Sequence, residues 1–109
     1  MRTLKFIVDG QIVKQDPNCD FSGLVPNTEG HLKAEFNFSH EWTNSVKVVG
    51  FYSALGKEYP AQVLNDGKTC MIPSEALRRR VFKLRVIGKR GSEKLITNKL
   101  AISQNGGKA

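Results

Sequence analysis

Apolar and polar residues alternate along much of this chain, with the period of two that is typical of half-buried β-strands. The segment HLKAEFNFS (31–39) shows the alternation most strictly, because apolar side chains fill every second position. A strand with this pattern turns one face to a core and the other face to water. The pattern therefore predicts a β protein with these core residues: Leu32, Ala34, Phe36 and Phe38.

Turn signals separate the alternating runs. Asp9-Gly10 suits a tight hairpin turn, because both residue types tolerate the positive φ that such a turn requires. The segment PSEAL (73–77) predicts one short helical turn, since proline favours the first position of a helix. Further turns are predicted at SALGK (53–57), NDG (65–67) and GKRGS (88–92).

The order of these elements predicts the fold class. About seven or eight short strands and one helical turn indicate an all-β fold, an antiparallel two-layer β-sandwich of immunoglobulin-like architecture. A small β-barrel is the alternative. The polar stretch 17–30 is interpreted as a crossing between two sheets. Residues 1–104 are predicted to form a single domain, and residues 105–109 a flexible C-terminal tail.

The composition agrees with one cytosolic domain. The chain has 109 residues, of which 39% are hydrophobic, and this length suits a single core. No apolar run approaches the roughly 18 residues of a membrane span, so no membrane partner is expected. The first ten residues predict a strand and not a signal peptide. In a reducing cytosol Cys19 and Cys70 are not expected to form a disulfide, and two thiols without suitably spaced histidines do not predict a zinc site.

Positive charge is concentrated in the second half of the chain. The net charge is +7, and residues 1–54 carry a balance of −1 whereas residues 55–109 carry +8. A basic half favours acidic partners, either nucleic acid or protein. The competing interpretation is that these long cations solvate the outward faces of strands, since they alternate with apolar residues.

The residues that catalysis uses are scattered. His31 and His40 lie near the two ends of the Phe-rich strand, and Ser39 is adjacent to His40. Neighbours along a chain rarely form a catalytic triad, whose members meet through the fold. No nucleophile elbow, zinc-protease motif or phosphate-binding glycine loop occurs. The sequence therefore predicts no enzyme, no cofactor and no metal site.

Two other residues attract a functional interpretation. Cys70 lies in KTCMI, close to a helical turn and to arginines, which are conditions that can activate a thiolate. The favoured alternative is a small buried apolar side chain. Trp42 is the single tryptophan, and it is interpreted as a plug at one end of the sandwich, with its indole N–H bonded to a carbonyl, in preference to a binding anchor.

Cations near two predicted turns are the candidate binding residues. Turns and corners project beyond the sheets, so their side chains are placed to contact a partner. Lys83, Arg85 and Lys94 add a possible basic stripe, but Phe82 alternates away from it into the core, which leaves no aromatic platform for nucleic-acid bases. Specific nucleic-acid binding is therefore the less favoured interpretation. The predicted partner-binding residues are Arg78, Arg79, Arg80, Lys89 and Arg90.

Three stretches carry a resemblance to a known group of proteins. They are FNFSHEWTNSVKVVGFYS, GKEYPAQVLNDGKTCMIPSEAL and FKLRVIGKRGSEKLITNKLAIS. The pattern combines a Phe-rich strand, a Glu-Trp loop, an Asn-Asp-Gly turn and a Cys-x-Ile-Pro corner. Over residues 31–103 it resembles the small immunoglobulin-like β-sandwich modules of tailed-bacteriophage virion proteins, which occur in head-fibre, decoration and baseplate proteins.

The resemblance implies a structural role without catalysis. The first expectation is a head decoration or head-fibre-type protein that binds the capsid surface, and a baseplate or tail component comes second. The chain ends just after the module, so no fibre shaft or receptor-binding head is expected. The implied partners are capsid or other virion proteins, with a homo-oligomer possible on a lattice. The implied location is the virion, after synthesis in the host bacterial cytoplasm. From another class, the alternative is a basic nucleic-acid-binding or anti-defence protein.

Overall fold

Two β-sheets make up the protein in a computed structural model, which describes residues 1–104. The predicted tail, 105–109, lies outside the described residues. Side chains that face the core alternate with side chains that face outward along the strands, as the sequence pattern predicts. The strands are β1 (Arg2–Asp9), β2 (Ile12–Gln15), β3 (Leu32–Phe38), β4 (Val46–Ser53), β5 (Glu58–Val63), β6 (Thr69–Met71), β7 (Val81–Arg90), β8 (Glu93–Ile96) and β9 (Leu100–Ser103).

The strand order confirms the predicted two-layer sandwich. One sheet has the order β2-β1-β3-β6, and the other has the order β5-β4-β7-β8, with β9 also pairing with β7. No strand of residues 1–104 is shared by the two sheets, so the fold is a sandwich and not the alternative barrel. From β3 onwards the arrangement follows immunoglobulin sandwiches, in which strands B and E share one sheet and strands C′, C, F and G share the other.

One strand pair departs from the predicted antiparallel arrangement, because β1 and β3 run parallel. The cause lies in the connection 16–31, which leaves β2 beside the start of β1. The Arg2 guanidinium donates hydrogen bonds to the carbonyls of Asp20 and Ser22 at 2.8 and 2.7 Å. The Arg2 amide donates to the His31 carbonyl at 2.8 Å. The connection therefore delivers β3 at the same end at which β1 begins. It passes the start of β1 from β2 to β3 within one sheet, and does not cross between the two sheets as predicted.

A single apolar cluster fills the space between the sheets and draws residues from Leu4 to Ile102. The alternating segment 31–39 contributes as predicted: Leu32, Ala34 and Phe36 are buried, and Phe38 packs partly buried against the same cluster. Burial of these side chains supplies the main force that holds the two sheets together.

The predicted helical turn occurs as a short 3₁₀ segment, Ala76–Arg78, which follows turn bonds to the carbonyls of Pro73 and Ser74. A second 3₁₀ segment, His40–Trp42, was not predicted. No helix within residues 1–104 has the length and apolar character that a bilayer crossing requires.

Candidate protein-binding site

The five predicted binding cations occupy opposite ends of one strand. Arg78, Arg79 and Arg80 precede β7, whereas Lys89 and Arg90 end it. At about 3.3 Å per residue, the nine steps from Arg80 to Lys89 span about 30 Å. The sequence grouped these residues by proximity to turns, but the extended strand separates them into two sites.

At the C-terminal end of β7 (the far end), the Arg90 side chain bonds to other residues of the protein. Its guanidinium forms an ion pair with Glu93, with 2.6 Å between Nη2 and Oε1. Its Nη1 donates to the carbonyl of Thr43 at 2.7 Å. These contacts attach the β7–β8 turn to the loop that carries Trp42. The prediction that Arg90 serves a partner therefore competes with an observed structural role, whereas Lys89 next to it is exposed.

The N-terminal end of β7 (the near end) carries three arginines with exposed side chains, which we call the arginine corner: Arg78, Arg79 and Arg80. Within residues 1–104 the one ion pair is that of Arg90, and none of these three guanidinium groups donates a hydrogen bond to a described residue. Exposed arginines without internal partners keep all five N–H donors available for a carboxylate or phosphate. The corner is thus the part of the predicted set that is open to an acidic partner.

The backbone of the arginine corner is fixed by Gln104, which is 3% exposed. The Gln104 side-chain Nε2 donates to the carbonyls of Leu77 and Arg79 at 3.1 and 2.7 Å. Its backbone N–H donates to the Arg80 carbonyl at 2.6 Å. The buried side chain of Leu77 anchors the same turn in the core. Because the backbone of the corner is already held, binding does not have to order it, which lowers the entropy lost on binding.

An apolar groove adjoins the arginine corner. It has a volume of about 470 Å³ and lies between the β4–β5 turn and the segment that leads into β7. Leu55 projects from this turn and is 99% exposed. The lining residues combine an apolar surface with three cations and no acid: Ser53, Ala54, Leu55, Lys57, Tyr59, Arg79, Arg80 and Val81.

Sequence reasoning missed Leu55 and Gln104. The segment SALGK was interpreted as a turn, and a lone leucine at the tip of a turn was the available signal that the tip carries an apolar anchor. For Gln104 there was no comparable signal, because it begins the polar run QNGGKA and resembles the first residue of a tail. Its role depends on two carbonyls about 25 residues away in sequence.

The predicted basic stripe lies on an outward face. Lys83 and Arg85 occupy outward positions of β7, and Lys94 lies opposite Lys89 on β8. Phe82 is fully buried, as predicted. The Ile87–Ile96 pair lies between Arg85 and Lys94, so the structure interrupts the predicted stripe, and Phe82 adds no platform to it.

Cys70 is a buried side chain, in agreement with the favoured interpretation. Burial raises the pKa of its thiol to about 12, and the nearby Asp66 carboxylate contributes in the same direction. Hydrogen bonds from Thr69 and Lys68 hold the pKa of Asp66 at about 2, so that this carboxylate is charged at neutral pH. A thiol with such a high pKa remains protonated near pH 7 and is a poor nucleophile.

The side chains of Ser39 and His40, the adjacent pair considered for catalysis, do not hydrogen-bond to each other. The Ser39 hydroxyl donates to Glu41 Oε1 at 2.7 Å and accepts the Gly10 N–H at 2.9 Å, so it bonds within its loop and not with His40. The bond from Ser39 holds the pKa of Glu41 below its usual value. In the part of the chain that the structure describes, no group of three or more His, Cys, Asp or Glu residues could hold a metal ion.

Trp42 is the plug that the sequence predicted. It is fully buried, and its indole N–H donates to the Gly10 carbonyl at 2.7 Å. Its ring packs 5.3 Å from that of Phe38, measured between centroids. Trp42 also covers Gly88, where an added Cβ would lie 2.7 Å from the indole Cζ3. It therefore closes the end of the sandwich and is not available as a surface anchor.

Comparison of the chain with protein-family models, with curated proteins and with solved structures finds no match. The candidate site therefore rests on its own geometry.

Proposed function

We propose that the protein is a non-enzymatic binding domain that docks on a partner protein through the arginine corner and the adjoining groove. The observation that carries this proposal is the fully exposed Leu55 beside Arg79 and Arg80. An apolar side chain that inserts into a partner, flanked by arginines, is the composition that interface cores favour. The firmly held backbone adds the pre-organisation that such a contact needs.

The groove fits a protein better than it fits nucleic acid. Binding of single-stranded nucleic acid normally uses exposed aromatic rings on which bases stack. Here Phe82 is fully buried, and Tyr59, the aromatic residue that lines the groove, is partly buried in the edge strand, so the apolar surface next to the arginines is mainly aliphatic. An acidic protein surface with an apolar recess would match both the charge and the shape of this site.

We propose a tailed-phage virion as the setting, following the resemblance of residues 31–103. The protein would act as an accessory protein of the head and decorate the capsid surface, with a baseplate or tail position as the second candidate. What supports this setting is a compact sandwich whose one end offers a rigid, cationic docking point. A small rigid module of this kind can repeat on a lattice without folding on binding.

The setting is tested by mass spectrometry of purified particles from the source phage, with the protein quantified against the major capsid protein. A copy number comparable to that of the capsid protein supports head decoration. A few copies per particle move the protein to the baseplate or tail. Absence from particles overturns the virion setting, and co-purification with nucleic acid from infected cells would then favour the alternative class.

The docking site is tested with variants produced during infection. R79E/R80E and Leu55→Asp should each lower the copy number per particle by about tenfold or more, because they reverse the charge or remove the apolar anchor. The matched controls are K5E/K14E, with the same change in charge on the other sheet, and Ile12→Asp at another exposed apolar position. If the controls and the site variants lower incorporation equally, the arginine corner is not the docking site.

A further inference from the structure

A row of aliphatic side chains crosses the outer face of the five-stranded sheet. The strand register places Val63 of β5 opposite Val48 of β4, Val48 opposite Ile87 of β7, and Ile87 opposite Ile96 of β8. Directly paired residues point to the same side of a sheet. The inward positions on β7 are held by Phe82 and its alternate neighbours, so this aliphatic row points away from the core.

The aliphatic row is exposed at its edge strand, at Val63, and half-buried at Val48, Ile87 and Ile96. Val63 is 51% exposed, and Val46, two positions before Val48 on the same face, is 65% exposed. An antiparallel sheet with one solvated face normally carries polar residues there. The outer face of the four-stranded sheet follows that rule, because Lys5 lies opposite Glu35. Contiguous apolar surface of this kind marks an interaction site.

Cations border the aliphatic row on both sides. One step along the strands, Lys89 and Lys94 form a directly opposed pair. On the other side Arg85 occupies the next outward position of β7, and Lys83 follows it. Two like charges directly opposite each other are destabilising in a sheet. A partner that brings carboxylates to this border would relieve that repulsion.

The charge of this border argues against a second copy of the chain as the occupant. Two such faces packed together would bring their lysines and arginines into one interface, which costs several kcal/mol for like charges. The acid at an outward position of the edge strand, Glu58, pairs in register with Tyr52 at the opposite end of β4 from Val48. It is therefore displaced from the row along the strands and does not neutralise the border.

Nucleic acid fits the face poorly as well. Its aromatic residue, Tyr52, is 5% exposed, with Lys99 Nζ 4.1 Å from the ring centroid and Arg85 Nε donating to its hydroxyl at 2.9 Å. The ring also covers Gly50, at which an added Cβ would lie within 3 Å of the tyrosine ring. Tyr52 is thus unavailable for stacking, and β-branched aliphatic side chains offer bases no flat platform.

We propose that the aliphatic row is a second binding surface, for a partner protein that presents an aliphatic patch bordered by aspartate or glutamate side chains. The surface lies near the start of β4, whereas the apolar groove lies beyond its end; from Val48 to Ser53 the strand covers about 17 Å. The two surfaces can therefore be occupied independently. This inference does not depend on the virion setting or on the arginine corner.

The probe for the test is a random dodecapeptide display library, selected on the immobilised protein and followed by titration of the enriched synthetic peptides. Enriched sequences that bind this face should combine aliphatic residues with Asp or Glu. Their dissociation constants should rise by about tenfold in V63S/I96S and in K89E/K94E. The matched controls are Val25→Ser, a valine exposed to a similar degree in the connection 16–31, and K5E/K14E on the other sheet. All variants are first shown by circular dichroism to fold.

Each other outcome overturns the proposal. Failure to enrich acidic-aliphatic peptides removes the partner chemistry, and peptides that bind the face variants and the wild type equally place the site elsewhere. Peptides lost only in R79E/R80E would assign all binding to the arginine corner. A 20-nucleotide single strand that binds the wild type and not K89E/K94E would make the face a nucleic-acid site. A dimer in sedimentation equilibrium that Ile96→Glu abolishes would make the occupant a second copy.

Discussion

The two ends of β7 carry cations that look alike in the sequence and differ in the structure. At the far end Arg90 bonds to Glu93 and to the Thr43 carbonyl, beside the buried Trp42. At the near end Arg79 and Arg80 have no internal partner among residues 1–104, although their backbone is held by Gln104. The far end uses its residues to hold the sandwich together, and the near end uses backbone bonds to present side chains outward.

We therefore expect residues at the far end of β7 to determine stability and the arginines at its near end to determine binding. Changes at the far end should lower the free energy of unfolding, because the side chains there fill the core or close a turn. Changes of the exposed arginines at the near end should leave folding intact and weaken binding of a partner. Charge alone gives no such distinction, since a guanidinium that bonds within its own protein has fewer donors for another.

The largest expected effect is at the plug of the far end. Trp42→Ala should lower the free energy of unfolding by about 3–5 kcal/mol, because it removes a fully buried large side chain and leaves a cavity. Trp42→Phe should cost less, since it keeps an aromatic ring and loses the bond to the Gly10 carbonyl. Urea unfolding followed by far-UV circular dichroism measures both. A loss below about 1 kcal/mol for Trp42→Ala would show that the far end does not depend on the plug.

A second prediction adds an atom next to Trp42, at Gly88, instead of removing the Trp42 side chain. Gly88→Ala places a Cβ 2.7 Å from the Trp42 ring, so either the ring or the strand must shift. Overpacking of this kind costs about 1–3 kcal/mol. Thermal unfolding should show the loss, and the exposed neighbour Lys89→Ala serves as the control. Equal stability of Gly88→Ala and the wild type would mean that the plug is loosely packed.

Gln104 is a buried polar side chain at the near end whose removal should affect folding. Gln104→Ala should lower the free energy of unfolding by about 1–2 kcal/mol, because the part-buried bond to the Arg79 carbonyl is lost. The Leu77 carbonyl keeps the bond from the Asn27 N–H, which limits the cost. The control is Ser103→Ala, an exposed neighbour in β9. If both variants unfold at the same denaturant concentration, the Gln104 side chain does not stabilise the arginine corner, and the Leu77 anchor and the backbone bond to the Arg80 carbonyl hold it.

The sequence predicted the parts of the fold that depend on local pattern. Alternation located the strands, the Asn-Asp-Gly turn marked the β5–β6 connection, and the lone tryptophan indicated the plug. The parallel pairing of β1 with β3 was not predictable from alternation, because the period of a strand is the same in either direction. It follows instead from the hydrogen bonds of Arg2 across the connection 16–31.

Only the part of the candidate site that depends on local sequence was predictable. The arginine corner follows from a triplet of cations at a predicted turn, but the partners of Arg90 depend on where the loop 39–45 folds back. The aliphatic row needs the register of four strands, since Val63, Val48, Ile87 and Ile96 are far apart in the chain. Pairwise placement across a sheet is a tertiary property that the turn residues fix only in part.

The smallest effect gives the sharpest comparison, because it changes one arginine at each end in the same way. Arg90→Gln should lower the free energy of unfolding by about 0.5–1 kcal/mol, since a partly exposed ion pair and a bond to the Thr43 carbonyl are lost. Arg79→Gln should change it by less than about 0.5 kcal/mol, as is usual for a surface side chain without partners. Paired urea titrations at low and moderate salt measure both, and the loss in Arg90→Gln should shrink as salt screens the ion pair. If Arg79→Gln destabilises the protein as much as Arg90→Gln does, the near end is structural too, and its arginines are not reserved for a partner.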